Sequence, residues 1–290
     1  MTILNIASDG IYNILIVLHK VVSIHGPIHK DKLVELCKPS DVGDVTKIKQ
    51  TIFRWTQLGL FIESKDGELS LKKDDKDPEQ LTKKCRRILF SSSNNENFWD
   101  NEGTKAADFT RALAFILSQD IYASKFDNHA DVQNLEEQLI RDTDQRILQN
   151  NTRWNGFLHW ASYLGFLSED KRRWPDPTVA VAEELPELFG KDVELPCNEF
   201  LSRLKERIPV LDGGEYRVSL ESRLDSAKWQ HSSNSKQLST SLSRAIWRLS
   251  RPGGPIRLEA RSDSISSLIL QGASGREWAN FSHVVASKGV

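Results

Sequence analysis

The sequence predicts a mainly α-helical protein with short β-hairpins, and three observations lead to this fold class. Apolar residues recur at helical spacing, glycine or proline ends most of these segments, and short apolar runs around turn residues follow the helices. The 290 residues suffice for two or three domains. With 39% hydrophobic and 27% charged residues, the composition is ordinary for a globular protein. We divide the chain into predicted domains 1–78, 79–190 and 191–290.

The helices of the first domain lie in the segment from Ile11 to Lys72. Apolar spacing predicts one helix that ends at Gly26-Pro27 and a second over Lys30 to Cys37. A third helix begins near Asp44, whose side chain suits an N-cap, and ends before Gly59.

A β-hairpin is predicted directly after these helices. Residues 60–63 and 68–71 have strand character, and Lys65-Asp66-Gly67 between them is typical of a tight turn. Three helices followed by a hairpin is the element order of a winged helix, a domain common in DNA-binding proteins. The alternative is another small helical domain with a terminal hairpin.

The same order recurs in degenerate form, so the sequence predicts tandem winged-helix (wHTH) domains. After a connecting helix, the second copy has predicted helices at 108–117, 132–140 and 152–164 and a wing that carries Lys171, Arg172 and Arg173. The third copy has helices at 199–208 and 238–250, then a strand at 256–260 that residues 264–270 would pair with.

The third helix of the first domain is a candidate DNA-binding element. At 100° per residue, Lys47, Gln50, Arg54 and Gln57 gather on the side opposite its apolar residues. Such side chains reach bases and phosphates from a helix in the major groove. A merely solvated face is the alternative interpretation.

A second candidate surface lies in the C-terminal domain. From Lys228 onward there are nine basic and three acidic residues, a net charge of +6, although the whole chain has a formal charge of −1. Helical winding predicts that the outward face of residues 238–250 carries Ser241, Arg244 and Arg248, with Trp247 beside them. The predicted patch extends to Arg251, Arg257 and Arg261. Arginines beside an aromatic ring suit phosphate contact and base stacking, while packing on another domain or a partner protein is the alternative.

No pattern in the sequence indicates catalysis, a cofactor or a metal site. There is no Gly-x-x-x-x-Gly-Lys-Ser/Thr phosphate loop, and the three cysteines and seven histidines lack metal-ligand spacing. Lys83-Lys84-Cys85-Arg86-Arg87 favours a solvated basic helix face over a reactive thiol. Glu136-Glu137 is interpreted as part of a solvent-facing helix surface. We therefore expect a protein that is not an enzyme and has no small-molecule substrate.

The apolar stretch from Ile11 to Ile24 is the strongest candidate for a membrane segment. Polar residues such as Asn13, His19 and Lys20 interrupt it, and it falls short of the roughly 20 apolar residues that a span requires. No signal-peptide pattern precedes it. We therefore expect no membrane partner and a cytoplasmic location, which three free cysteines suit.

Three groups of residues carry a resemblance to a known family: Ile3-Leu4-Asn5-Ile6 with Asp9-Gly10, Asp108-Phe109-Thr110-Arg111-Ala112-Leu113 continuing to Gln119-Asp120, and Trp174-Pro175-Asp176-Pro177-Thr178 with Leu185-Pro186-Glu187-Leu188-Phe189-Gly190. Together they resemble the DpdG family over nearly the whole chain. The resemblance implies a component of bacterial gene islands that place 7-deazaguanine derivatives in DNA and restrict foreign DNA lacking them, on the restriction or anti-phage side. It supplies no catalytic motif.

These observations lead to one expected function and two alternatives. The expected function is a non-catalytic DNA-binding and assembly subunit of an anti-phage restriction complex, with DNA and the other protein subunits as partners. The first alternative is a winged-helix scaffold that binds proteins without touching DNA. The second is a transcriptional regulator of its own operon, which would bind as a dimer.

Overall fold

The computed structural model describes residues 2–5, 11–40, 43–100, 105–168, 170, 173–229 and 236–287. The chain forms two compact units, Met1–Thr110 with Asn150–Leu164 and Arg111–Gln149 with Gly165–Val290. About half of the residues are helical and the sheets are small and antiparallel. The prediction of a mainly α protein with short hairpins is therefore confirmed.

The helices and strands follow one another along the chain in a fixed order. They are α1 (Tyr12–His25), β1 (Ile28–His29), α2 (Lys30–Cys37), α3 (Thr46–Leu58), β2 (Ile62–Glu63), β3 (Glu68–Ser70), α4 (Leu81–Leu89), α5 (Ala107–Ser118), α6 (His129–Leu139), α7 (Asn151–Tyr163), α8 (Thr178–Phe189), β4 (Glu194–Pro196), α9 (Cys197–Arg207), α10 (Glu215–Glu221), α11 (Thr240–Leu249), β5 (Ile256–Glu259), β6 (Leu268–Gln271), β7 (Glu277–Phe281) and β8 (His283–Ala286). In the described residues, short 3-10 turns lie between them at Lys73–Asp75, Pro78–Gln80, Ser92–Asn94, Thr143–Gln145 and Ala273–Gly275.

In the first unit, α1, α2, α3 and the β2–β3 hairpin lie where the sequence predicts three helices and a hairpin. Gly59 ends α3 in the left-handed conformation with φ 95°, and Leu60 N donates to Trp55 O. The sequence analysis did not predict strand β1, because two residues are too few to show the alternation that indicates a strand. It completes an antiparallel sheet in the order β1-β3-β2.

Helix α7 belongs to the core of the first unit, although it is distant in sequence from the other elements there. The ring centroids of Trp160 and Trp55 lie 5.4 Å apart, and those of Phe157 and Phe109 lie 6.1 Å apart. The elements predicted as a second winged helix are therefore divided, since α6 and residues 165–176 lie in the second unit. Ser168 N donates to Trp174 O in the short hairpin expected there. The predicted wing residues Lys171 and Arg172 lie outside the described residues.

The basic run on α4 does not form the solvated face that its composition predicts. Lys83, Lys84, Cys85 and Arg86 are all buried. Lys84 Nζ donates to Asp77 O at 2.8 Å, and an Arg86 Nη donates to Leu164 O at 3.1 Å. The aliphatic stems pack in the core while the charged tips reach backbone carbonyls. Burial raises the pKa of the Cys85 thiol, which keeps it unreactive.

Glu136 on α6 is also buried, contrary to the expected solvent-facing helix surface. Its carboxylate accepts hydrogen bonds from Ile147 N, Leu148 N and the side-chain amide of Gln149, at 2.6 to 2.9 Å. These bonds fasten the segment that follows α6 to the helix. A sequence pattern cannot show this role, because the three donors lie in an irregular loop.

From α8 onward, the second unit repeats the order α1-β1-α2-α3-β2-β3 of the first unit, with two insertions. Helix α8, strand β4 and helix α9 are followed by α11, β5 and β8, and the sheet order β4-β8-β5 matches β1-β3-β2. Helix α10 is inserted before α11, and the β6–β7 hairpin is inserted between β5 and β8. The predicted pairing of residues 264–270 with β5 is wrong, because β5 pairs with β8 and β6 pairs with β7.

Candidate nucleic-acid interface

Helix α11 exposes a single narrow stripe. Arg248 is exposed, Arg244 and Trp247 are half-buried, and Arg251 follows on the exposed turn after the helix. We call these four residues the arginine–tryptophan stripe. Ser241, which helical winding places outward, is buried, and its Oγ donates to Leu117 O at 2.7 Å. The helix is buried on more than one side because it packs between α8 and the β6–β7 hairpin.

Two arginines of the stripe share one buried carboxylate. Asp176 is 3% exposed, and its Oδ2 accepts from Arg244 Nε at 2.9 Å and from an Arg248 Nη at 2.5 Å. Thr178 also donates to Asp176, at the start of α8. Burial by itself would raise the pKa of Asp176, but the hydrogen bonds from Thr178 and Arg244 and the two positive charges outweigh it, so the pKa is lowered. This cluster fastens α11 to the start of α8.

Replacing Asp176→Asn is expected to lower the free energy of unfolding by about 1–3 kcal/mol at pH 7, because two arginines lose their counter-charge. The lowered pKa means that the carboxylate stabilises the fold above its unfolded pKa of about 3.9 and loses this effect as the pH falls through its lower folded pKa. Urea unfolding at pH 7, pH 4 and pH 2.5 should therefore show the difference between wild type and variant shrinking only below about pH 4. A constant difference would contradict the role assigned to the charge.

Trp247 of the stripe belongs to a group of three aromatic side chains. The ring centroids of Trp247 and Trp278 lie 5.6 Å apart, and those of Tyr122 and Trp278 lie 5.9 Å apart. We call them the aromatic trio; all three are half-buried. Burial raises the pKa of Tyr122 against the opposing effect of Arg244. The sequence analysis missed Tyr122 and Trp278, because neither lies in a helix whose periodicity would assign it a face.

Gly272 makes room for the indole of Trp278. A Cβ at this position would lie 2.2 Å from Trp278 Nε1 and 2.3 Å from Cε2. Gly272→Ala is therefore expected to displace the indole and to cost about 1–3 kcal/mol of stability. Near-ultraviolet circular dichroism should report the altered packing of Trp247 and Trp278. The control is Gly43→Ala, because a Cβ there meets no atom within 4 Å. Unchanged spectra in both variants would contradict the contact.

The remaining predicted arginines of the second unit differ in their surroundings. Arg261 is held by Glu194 at 2.7 and 3.1 Å and by Glu259 at 2.9 Å, so its charge is neutralised within the unit. Arg257 is exposed and lies 3.8 Å from Glu259. Arg251 and Arg276 are exposed, and the described part of the chain offers neither guanidinium an ion-pair partner. Arg276 was not predicted; it lies two residues before Trp278.

Arg173 occupies the short hairpin before α8. It is exposed and has a positive φ of 49°, and its backbone N–H donates to Asp170. This segment leads directly into Asp176, the partner of Arg244 and Arg248. Arg173 therefore lies three residues before Asp176 in the sequence.

The predicted face of α3 is only partly exposed. Gln57 is exposed and Lys47 and Gln50 are half-buried, but Arg54 is only 2% exposed. The exposed stripe instead carries Lys49, Phe53 and Gln57. Helical winding identifies the most apolar side of α3, and it cannot show which residues beside that side are also buried, as Arg54 is.

The described residues contain no cluster of three or more His, Cys, Asp or Glu side chains placed to hold a metal ion. Among them there is also no helix of the length and hydrophobicity needed to cross a bilayer.

The fold and this surface define a mainly helical protein in which a basic, aromatic-lined helix surface stands beside small antiparallel sheets. The profile described as DpdG-like matches residues 1–264, and the chain belongs to this family. The family resemblance is thereby confirmed, and it associates the chain with the DpdG defence system. No curated protein and no solved structure matches the chain.

Proposed function

We propose that this protein is a non-catalytic subunit that binds DNA within an anti-phage restriction complex, using tandem winged helices. The observation that carries the proposal is the position of the arginine–tryptophan stripe on α11. In a winged helix the third helix enters the major groove and the hairpin contacts the backbone. In the order α8-β4-α9-α11-β5-β8, α11 occupies the position of this third helix. In the first unit, α3 occupies the same position.

The charge available at the surface supports DNA as the partner. Arg251 and Arg276 extend into solvent, and Arg248 uses a single nitrogen to reach Asp176. Along the chain, Arg248 and Arg251 follow the half-buried Trp247, and Arg276 lies two residues before the half-buried Trp278. Arginine beside aromatic rings suits contact with phosphates and bases, while Asp176 holds the helix in register.

Fluorescence anisotropy with a labelled 30-base-pair duplex, measured from 50 to 300 mM salt, tests this proposal. We expect the logarithm of the binding constant to fall linearly with the logarithm of salt, with a slope of roughly −3 to −4 for three or four phosphate contacts. No binding at 50 mM salt, by the protein alone or together with its complex, would refute DNA binding.

A protein-binding scaffold is the second candidate, favoured by the surface of the first unit. Phe53 on α3 is 48% exposed, and Ile16 and Val17 on α1 are also exposed. Apolar side chains on a helix surface suit a protein partner better than a phosphate backbone. Phe53→Ser should then weaken co-purification of a partner subunit while leaving duplex binding within about twofold of wild type. Loss of duplex binding alone would assign α3 to DNA.

A further inference from the structure

A polar cleft lies in the second unit at the N-terminal end of α11. Its volume is about 730 Å³, within the range of about 300–1,000 Å³ for pockets that hold small ligands. The end of α5, helix α10, the turn after it, the start of α11 and the end of β6 supply its lining. None of the sequence patterns indicates this cleft, because its lining comes from five separate segments.

The charges of the cleft disfavour a phosphate group. Arg217 is 1% exposed; its Nε donates to Glu221, and one of its Nη atoms lies 3.8 Å from Asp212. Its charge is therefore neutralised by neighbouring carboxylates. Asp120 and Glu221 line the cleft as well, so the lining carries more negative than positive charge. A bound group should be uncharged or cationic.

The neutral groups of the cleft suit a nucleobase. Gln237 and Gln271 line it, and a glutamine amide carries both donors and an acceptor. Gln119 lines it as well, but it is buried and its amide nitrogen donates to Phe115 O and Ser118 Oγ. A base edge presents such donors and acceptors side by side. The indole of Trp229 lines the same cleft and donates from Nε1 to Ser118 O at 3.4 Å. Trp229 therefore supplies a ring on which a base can stack.

The cleft is linked to the arginine–tryptophan stripe by the aromatic trio. Tyr122 follows the lining residue Asp120 by two positions and contacts Trp278, which in turn contacts Trp247 beside Arg248. Along α11, the ten residues from Thr240 to Leu249 span about 15 Å. A few nucleotides cover this distance.

We propose that the cleft receives an unpaired nucleobase of the nucleic acid that the arginine–tryptophan stripe holds. The base stacks on Trp229 and its edge bonds to the glutamine amides, while the phosphates remain outside with Arg248 and Arg251. This inference rests on the proposed function and names its substrate class: nucleic acid with unpaired bases, in a single strand or flipped from a duplex.

The first test compares two 12-nucleotide single strands on the wild-type protein by anisotropy. One strand is intact, and the other lacks the bases of its three central nucleotides. We expect the intact strand to bind at least about fivefold more tightly, because one lost base–aromatic stack alone has this effect. Equal affinities would overturn the proposal. A free nucleoside that competes as strongly as the strand would show that the cleft takes nucleosides and not strands.

Variants of Trp229 locate the effect. Trp229→Leu should remove most of the difference between the two strands, whereas Trp229→Phe, which keeps a flat ring, should retain it. Cross-linking of a strand with a central 4-thiothymidine to wild-type protein requires no variant, and mass spectrometry should find the link in the lining segments 118–120, 217–229, 237–240 or 271. A link confined to other segments would contradict the cleft.

Binding to intact duplex separates this inference from the proposed function. If the duplex binds with the expected salt dependence and the two single strands bind equally, the cleft proposal fails and DNA binding stands. If neither duplex nor single strand binds, both fail.

Discussion

Replacing Arg248→Ala together with Arg251→Ala is expected to weaken duplex binding at least about tenfold at 100 mM salt. Each phosphate contact contributes about one to the salt slope, so the slope should fall in magnitude by about two. Both arginines extend from the exposed end of α11, and only Arg248 has an ion-pair partner in the described residues, Asp176. Anisotropy titrations at four salt concentrations measure both quantities.

The matched control is Lys191→Ala together with Lys205→Ala. These lysines carry the same total charge in the same unit, but they lie on the turn after α8 and on α9. A general effect of net charge would weaken binding equally in both double variants. If the control lost as much affinity as the α11 variant, the arginine–tryptophan stripe would not be the binding surface.

Arg244 is a poorer choice for such a test than its sequence position suggests. It is half-buried, and its Nε donates to Asp176. Burial by itself would lower the pKa of Arg244, but its interactions with Asp176 and Tyr122 outweigh burial, so the pKa is raised. Arg244→Ala would disturb the packing of α11 on α8. Its effect on DNA affinity would then mix contact with stability, which Arg251→Ala does not.

Local features of the fold could be predicted from the sequence because local chemistry determines them. Gly59 ends α3 since its backbone adopts φ 95°, and the Lys65-Asp66-Gly67 turn joins β2 and β3 since Gly67 has φ 78°. Asp44, predicted as the N-cap of α3, lies one residue before the actual N-cap Val45, and its side chain accepts from Thr46 N at 2.8 Å.

The distant partners of each helix could not be predicted in this way. Helix α7 has the period of an ordinary amphipathic helix, but nothing local indicates that Trp160 packs on Trp55, which is more than one hundred residues away. The assignment of α7 to a second winged helix followed from chain order, and the tertiary packing places it in the first unit.

The burial and the partners of charged residues in the candidate site could not be predicted from local sequence patterns either. Arg54 belongs to the polar side of α3 by winding, but it is buried. Asp176 stands next to Pro175 and Pro177 with no pattern that indicates Arg244 and Arg248, which lie 68 and 72 residues further on. The buried carboxylate between two arginines is formed by two segments, the one around Asp176 and helix α11, that meet only in the folded unit.

Gly156→Ala is expected to destabilise the first unit by about 2–4 kcal/mol, although alanine favours helices over glycine by about 1 kcal/mol. Gly156 lies within α7, and a Cβ there would stand 1.8 Å from Leu4 O and 2.5 Å from Leu4 C. Both are backbone atoms, so relief requires moving residues 2–5. Ile3 and Leu4 are buried, and their displacement would expose an apolar surface area of about one large side chain.

The sign of the change makes this test decisive. Asn155→Ala, on the exposed side of the same helix, should stabilise the protein by up to about 0.7 kcal/mol, because helix propensity acts there without a clash. Urea unfolding of both variants measures the difference. A Gly156→Ala variant as stable as wild type would mean that residues 2–5 do not approach α7 as closely as described. The expected opposite signs at adjacent positions would show that this close approach, and not helix propensity, requires glycine.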